Sequence, residues 1–200
     1  MRPTTPAAAG MFASASFARA RTVRRGLQRW WVDPPLRWVA WLMLNPSTAT
    51  HDRDDMTTLR LNHFTRTWGY DGWIAVNLYP FVSSATAAMW SRADWQPTSD
   101  WEARDDMRAN LRDIEEAARM AALRMVAFGA EPIHRDEAWL EMCLEAFGQP
   151  ATDDGADERF HCLGVSSRGQ PLHPMSSGRM RVPDDRQPLQ WVRGLGVPTG

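Results

Sequence analysis

Three polar groups stand where apolar segments end. Asn45 closes the run from Trp38 to Leu44 and is followed by Pro46, Ser47 and Thr48, Asn77 interrupts Val76 and Leu78, and His173 precedes Pro174 late in the chain. A carboxamide can donate and accept on one ligand at once, so Asn45 can hold a water or the edge of a base. Ordinary Asn-Pro turn chemistry is its plainer role. Ser47 and Thr48 add hydroxyls and loop amides that can bind a phosphate or cap the next segment. Asn77 inside an apolar strand is costly unless a structural partner or a ligand engages it. Tyr79 and Phe81 offer either a stacking surface or core packing. A proline-held His173 can donate to charge developing on a leaving group, or simply face solvent.

Other combinations carry less. His51, Asp52, Asp54 and Asp55 cluster, but such groups at a helix start more often cap it and oppose its dipole. His161 and Cys162 are adjacent, so on a strand they point to opposite faces. No Walker loop, dinucleotide glycine fingerprint, HExxH or GxSxG occurs, and neither a metal nor a cofactor is expected.

The elements that must position these residues follow from periodicity. Residues 38–44 and 73–78 read as buried strands, and 123–128 as a third that stops at Gly129. Asp54 or Asp55 can cap a helix from Met56 to Trp68, with Met56, Leu59, His63 and Phe64 on one face and Gly69 as terminator. Ser99 and Glu102 have capping-box spacing before a helix carrying Met107, Leu111, Ile114, Ala118 and Ala121 inward. Another helix spans Asp136 to Phe147, with Trp139, Met142, Cys143 and Ala146 inward. A hydrophilic linker at 149–158 leads to a last strand at 159–163. Strands alternating with helices predict a three-layer α/β/α fold with a small, mainly parallel four-stranded sheet. Ligands of such sheets bind outside the carboxyl ends of the strands, where Asn45, Asn77 and Gly129 fall.

With 200 residues the chain suits one domain, over residues 23–176. Residues 1–22 read as a disordered Arg/Ala-rich tail and 177–200 as a Pro/Gly/Arg-rich one. No apolar run is long enough to cross a bilayer, and two distant cysteines fit a reduced, cytoplasmic protein. A net charge of −1 argues against coating nucleic acid through a large basic surface. The arginines at 2, 19, 21, 24, 25 and 29 nevertheless precede the first acidic residue, forming a basic arm that can track a phosphate backbone or remain a solvated tail.

On the blocks from Trp41 to Ala49, Asp54-Asp55 with Thr57 to Arg60, Trp68 to Tyr70, Val76 to Leu78, and Cys162 to Gly164 through Gly169 to His173-Pro174, the chain resembles the family of domain of unknown function 1643. Met56 replaces its usual proline, and Thr50 an acidic residue. More distantly, the chain is similar to the uracil-DNA glycosylase superfamily, a parallel-sheet α/β fold that reads a flipped base in a strand-end pocket. One branch has an Asn-Pro turn, a second-strand asparagine and a late His-Pro loop in the order of Asn45-Pro46, Asn77 and His173-Pro174, although Leu44 and Ser47 replace glycines.

That resemblance implies a nucleobase- or nucleotide-recognising protein, with DNA or a nucleotide as ligand. In its N-glycosidic hydrolase form Asn45 and His173 are catalytic, and Pro46, Ser47, Thr48, Asn77, Tyr79 and Pro174 bind substrate. Met175 would be a wedge filling the space of the extruded base. The alternatives are a non-catalytic sensor of a modified base or nucleotide, and a protein-interaction domain using Trp30 and Trp31.

Overall fold

A computed structural model of the chain describes residues 5–6, 10–83, 101–129, 136–148 and 160–193. In chain order the strands are β1 (Thr5–Pro6), β2 (Phe12–Ala18), β3 (Val23–Trp30), β4 (Trp38–Met43), β5 (Arg53–Asp54), β6 (Gly72–Asn77), β7 (Ala121–Val126), β8 (Phe160–Cys162) and β9 (Leu189–Trp191). The helices are α1 (Met56–Thr67), α2 (Trp101–Met120) and α3 (Glu137–Gly148). The main sheet runs β2-β3-β6-β4-β7-β8-β9, while β1 and β5 pair separately.

The four strands expected from periodicity form the parallel centre, β6-β4-β7-β8. Their side chains alternate between two apolar clusters. Ala40, Leu42, Ile74, Val76, Val126 and Phe128 face one side, beneath Met107, Ile114, Trp139 and Cys143 of α2 and α3. Val39, Trp41, Met43, Trp73, Ala75 and Met125 face the other, beneath Leu61 and Phe64 of α1. Both faces are covered, which is why these strands read as continuous apolar runs.

The expected four-stranded sheet is corrected to seven strands. Antiparallel β2 and β3 extend one edge and β9 the other. Phe12–Ala18 alternates large or small apolar residues with serine and pairs with β3, so this part of the expected amino-terminal tail is ordered sheet. Leu189–Trp191 pairs with β8 and buries Trp191, so the carboxyl-terminal region also contributes a strand. Three residues are too few to display a period. Four arginines of the expected basic arm, Arg19, Arg24, Arg25 and Arg29, are built into the structure rather than free. Arg29 is fully buried and donates from Nε and Nη2 to Asp54 at 2.9 and 2.7 Å. Arg19 pairs with Asp106, and Arg25 with Asp106 and Asp113 on α2.

Helix faces differ from the expectation where one residue of phase decides. Met56 and Leu59 are exposed, whereas Thr58, Leu61, Phe64 and Thr65 are buried. In α3, Trp139 and Cys143 point inward, but Met142 is exposed and Leu140, Leu144 and Phe147 complete the buried stripe. Gly69 ends α1 at φ +75, a conformation that favours glycine. The Ser99 to Glu102 capping box and the 149–158 linker lie outside the described residues. Among the described residues, no helix is long and apolar enough to cross a membrane.

Candidate functional site at the strand ends

The chain leaves β4 toward α1 on one face and, after β6, returns in α2 on the other. Diverging connections open a crevice at the carboxyl ends of these strands. It holds a cavity of about 310 Å³, at the small end of the ~300–1,000 Å³ usual for small-molecule sites. Asn45, Ser47, Thr48, Asn77 and His173 all line it, so the sequence-predicted residues of three separate segments meet in one place. Arg24, Thr57, Thr58, Ser83, Gly129 and Met175 complete its polar and mouth regions, over an apolar floor that includes Leu27, Met43 and Ala75.

Asn45 is held by its amide nitrogen, which donates to the carbonyls of Pro46 at 3.1 Å and Ser83 at 2.9 Å. Because both partners are acceptors, the orientation of the carboxamide is fixed by chemistry. Ser83 N–H donates to the Pro46 carbonyl at 3.0 Å, so the loops after β4 and β6 are laced together through this turn. The structure assigns Asn45 both its turn role and a place on the cavity wall.

Asn77 is the last residue of β6, opposite Met43 in the parallel register. Alternation turns its side chain to the α1 face, and it is 1% exposed. Neither its Oδ1 nor its Nδ2 has a hydrogen-bond partner, although its main-chain carbonyl accepts from Asn110 Nδ2 at 2.7 Å. Leaving a buried polar group unsatisfied costs about 1–3 kcal/mol. Thr48 Oγ1 is likewise buried without a partner on the same cavity wall.

A small hairpin after β8, closed by Ser166 N–H to Gln170 O and Leu172 N–H to Gly164 O at 2.8 Å each, delivers His173. Met175 N–H donates to His173 Nδ1 at 3.0 Å, so a neutral ring carries its proton on Nε2. Gly129 supplies a left-handed turn after β7 (φ +80), and a Cβ built there would meet His173 Cβ at 3.8 Å, an ordinary contact, so the backbone conformation and not crowding favours glycine.

Pro46 and Pro174 shape their turns but do not line the cavity among the described residues. Tyr79, 2% exposed, belongs to the core cluster beneath α2 and α3, away from the cavity wall. The acidic group near His51 has structural duties. Asp54 pairs with Arg29. Asp55 caps α1 by accepting from Thr58 N–H at 2.9 Å, and it also accepts from Ser47 Oγ. Among the described residues, no group of three or more His, Cys, Asp or Glu is placed to hold a metal.

Sequence reasoning missed Arg24. It is the second residue of the antiparallel strand β3, whose amino end lies beside the carboxyl end of β6 because the two run in opposite directions, and Arg24 N–H donates to Pro80 O at 2.9 Å. Its side chain is 4% exposed, with Nη1 donating to Ala49 O at 3.0 Å and Nε unpartnered. Burial pushes its pKa down from the ordinary guanidinium value to about 10, with Asp55 opposing the shift and Arg29 adding to it. The available signal was the apolar residues Val23 and Leu27 bracketing it, which a basic run obscures.

A family described as "Protein of unknown function (DUF1643)" matches residues 24–175, a span that opens at Arg24 and closes at Met175, both on the cavity wall. No curated protein and no solved structure matches the chain.

Proposed function

We propose, from the premise that the chain belongs to the DUF1643 family and that the family's description assigns no activity, that the cavity recognises a nucleobase or nucleotide. One observation carries this reading. Asn77 holds a donor pair and an acceptor inside the cavity with no protein partner for either, which is the complement of a base edge. The order of Asn45-Pro46, Asn77 and His173-Pro174 along the chain, and their convergence, support a uracil-DNA-glycosylase-like arrangement.

In the hydrolytic form of the proposal, a base leaves the stack and enters the cavity. With its nitrogen tied to two carbonyls, Asn45 has its Oδ1 to accept from a water and aim that water at the sugar C1′. The water oxygen bonds to C1′ as the bond from C1′ to the base nitrogen breaks. The bonding pair departs with the base, the water proton passes to solvent, and His173 Nε2–H donates to the negative charge on the leaving base. Asn77 reads its edge throughout, and Met175 fills the vacated space.

A second reading, a non-catalytic sensor, is favoured by a specific feature: no carboxylate lines the cavity among the described residues, so no strong general base faces the water. Base release from single- and double-stranded oligonucleotides carrying uracil, hypoxanthine, xanthine or hypermodified bases separates the two. Release that Asn45→Ala and His173→Ala abolish establishes hydrolysis. Binding of bases or nucleotides that Asn77→Ala abolishes, without turnover by the folded wild type, establishes the sensor. The absence of both release and binding would remove the nucleobase reading altogether.

A further inference from the structure

Two arginines of β3, Arg24 and Arg29, are buried, and the fold treats them differently. Arg29 is neutralised by Asp54 through two hydrogen bonds. Arg24 makes no ion pair among the described residues, and its single side-chain hydrogen bond there goes to a neutral carbonyl. The carboxylate whose charge acts on it, Asp55, has both oxygens engaged, one by Thr58 N–H and the other by Ser47 Oγ. A guanidinium out of water without a counter-charge is costly, and buried charges in folded proteins are ordinarily paired.

The open Nε of Arg24 shares its cavity with Thr48 Oγ1, buried and also without a partner, and with Thr57 and Thr58 at the amino end of the 12-residue helix α1. A cation, a free hydroxyl and the positive end of a helix dipole all favour negative charge on whatever enters. We propose that the ligand of this cavity bears a compact oxyanion, a phosphate monoester or a carboxylate, and that Arg24 with Thr48 is its anchor while Asn77 engages the base. This rests on the nucleobase reading and adds the charge of the ligand to it. Within that reading it favours a free nucleotide or an acidic base over a neutral base.

The test is a set of paired titrations by isothermal calorimetry on the full chain. Each of the common nucleosides is compared with its 5′-monophosphate, and uracil with uracil-5-carboxylate. At least a tenfold tighter binding of the anionic member is expected in one pair type. A gain confined to the monophosphates identifies a nucleotide site; one confined to the carboxylate identifies an acidic base.

Arg24→Gln should abolish the gain, and Arg24→Lys should restore part of it. Equal binding of neutral and anionic members by the wild type would overturn the oxyanion proposal and leave the nucleobase reading standing. No binding of any compound would likewise overturn the oxyanion proposal, and the nucleobase reading would then stand or fall on base release from oligonucleotides. Because the paired comparison uses the wild type alone, it decides the matter even where Arg24→Gln does not fold.

Discussion

At the scale of single residues, the contrast between satisfied and unsatisfied buried groups separates scaffold from site. Arg29 and Asp54 satisfy each other, so removing one strands the other in the interior. Arg29→Met should cost about 3–5 kcal/mol, read as a fall in the urea midpoint, because Asp54 is left buried with its charge unopposed. An effect below 1 kcal/mol would mean that water reaches Asp54 once Arg29 is gone. Asn45, Asn77 and His173 were legible in sequence because each is a polar residue abutting an apolar segment, and the structure brings all three to one cavity. Tyr79 was not correctly placed. A residue beyond a strand end is not bound by alternation: β6 stops at Asn77, and both Leu78 and Tyr79 after it enter the α2 and α3 core. Arg24 was hidden by company: in a stretch with so many arginines, the one that is buried without a counter-ion looks like the rest.

At the scale of elements, α1 is the piece that joins scaffold to site. Its cap residue Asp55 receives Thr58 N–H, the Thr58 hydroxyl lies 2.8 Å from Asp55 N as the return arm of a capping box, and Ser47 of the Asn45 loop hangs on the same carboxylate. Asp55→Ala should therefore destabilise by about 1–2 kcal/mol with an unchanged denaturant slope. A loss no larger than a surface substitution would show that the helix start is held by its packing alone. The central strands and all three helices were readable from hydrophobic period, and the start of α1 also from its Asp55 cap, since both signals are local. The edge strands were not. β2 looks like a tail and β3 like a basic arm until one sees that Asp106 and Asp113 of α2, 81 to 88 residues away in sequence, neutralise Arg19 and Arg25. No local pattern contains that information. Helix phase failed for a related reason, since Thr58 and Thr65 are polar yet buried and Met56, Leu59 and Met142 are apolar yet exposed.

At the scale of the whole molecule, the two cysteines report on the integrity of the core. Cys143 and Cys162 are free and 0% exposed, and burial pushes both thiols up from their ordinary value, with Asp136 adding to the effect at Cys143. An acid that holds its proton more tightly folded than unfolded contributes stability that is complete below the unfolded thiol pKa, about 8.5, and is lost as pH rises above it. The unfolding midpoint should thus fall between pH 8.5 and 10, less steeply in Cys143→Ala. Arg24, shifted downward, relieves its own burden only above about pH 10 and so does not mask the fall. A flat profile across that interval would contradict the burial of the thiols.

The cavity itself is stitched from chain segments around positions 24, 45, 77, 129 and 173, which enclose no compartment until the full β3 to His173 order is in place. An occupant touching several of them would act as a clasp on the topology. Amide protons of β4 and β6 beneath it would exchange with solvent through global opening alone, and nicking by a protease at the loops would slow in proportion to occupancy. Protection of that kind reports an occupant independently of any reaction it undergoes, which makes the slowest-exchanging strands of the sheet a reporter for identifying the natural ligand.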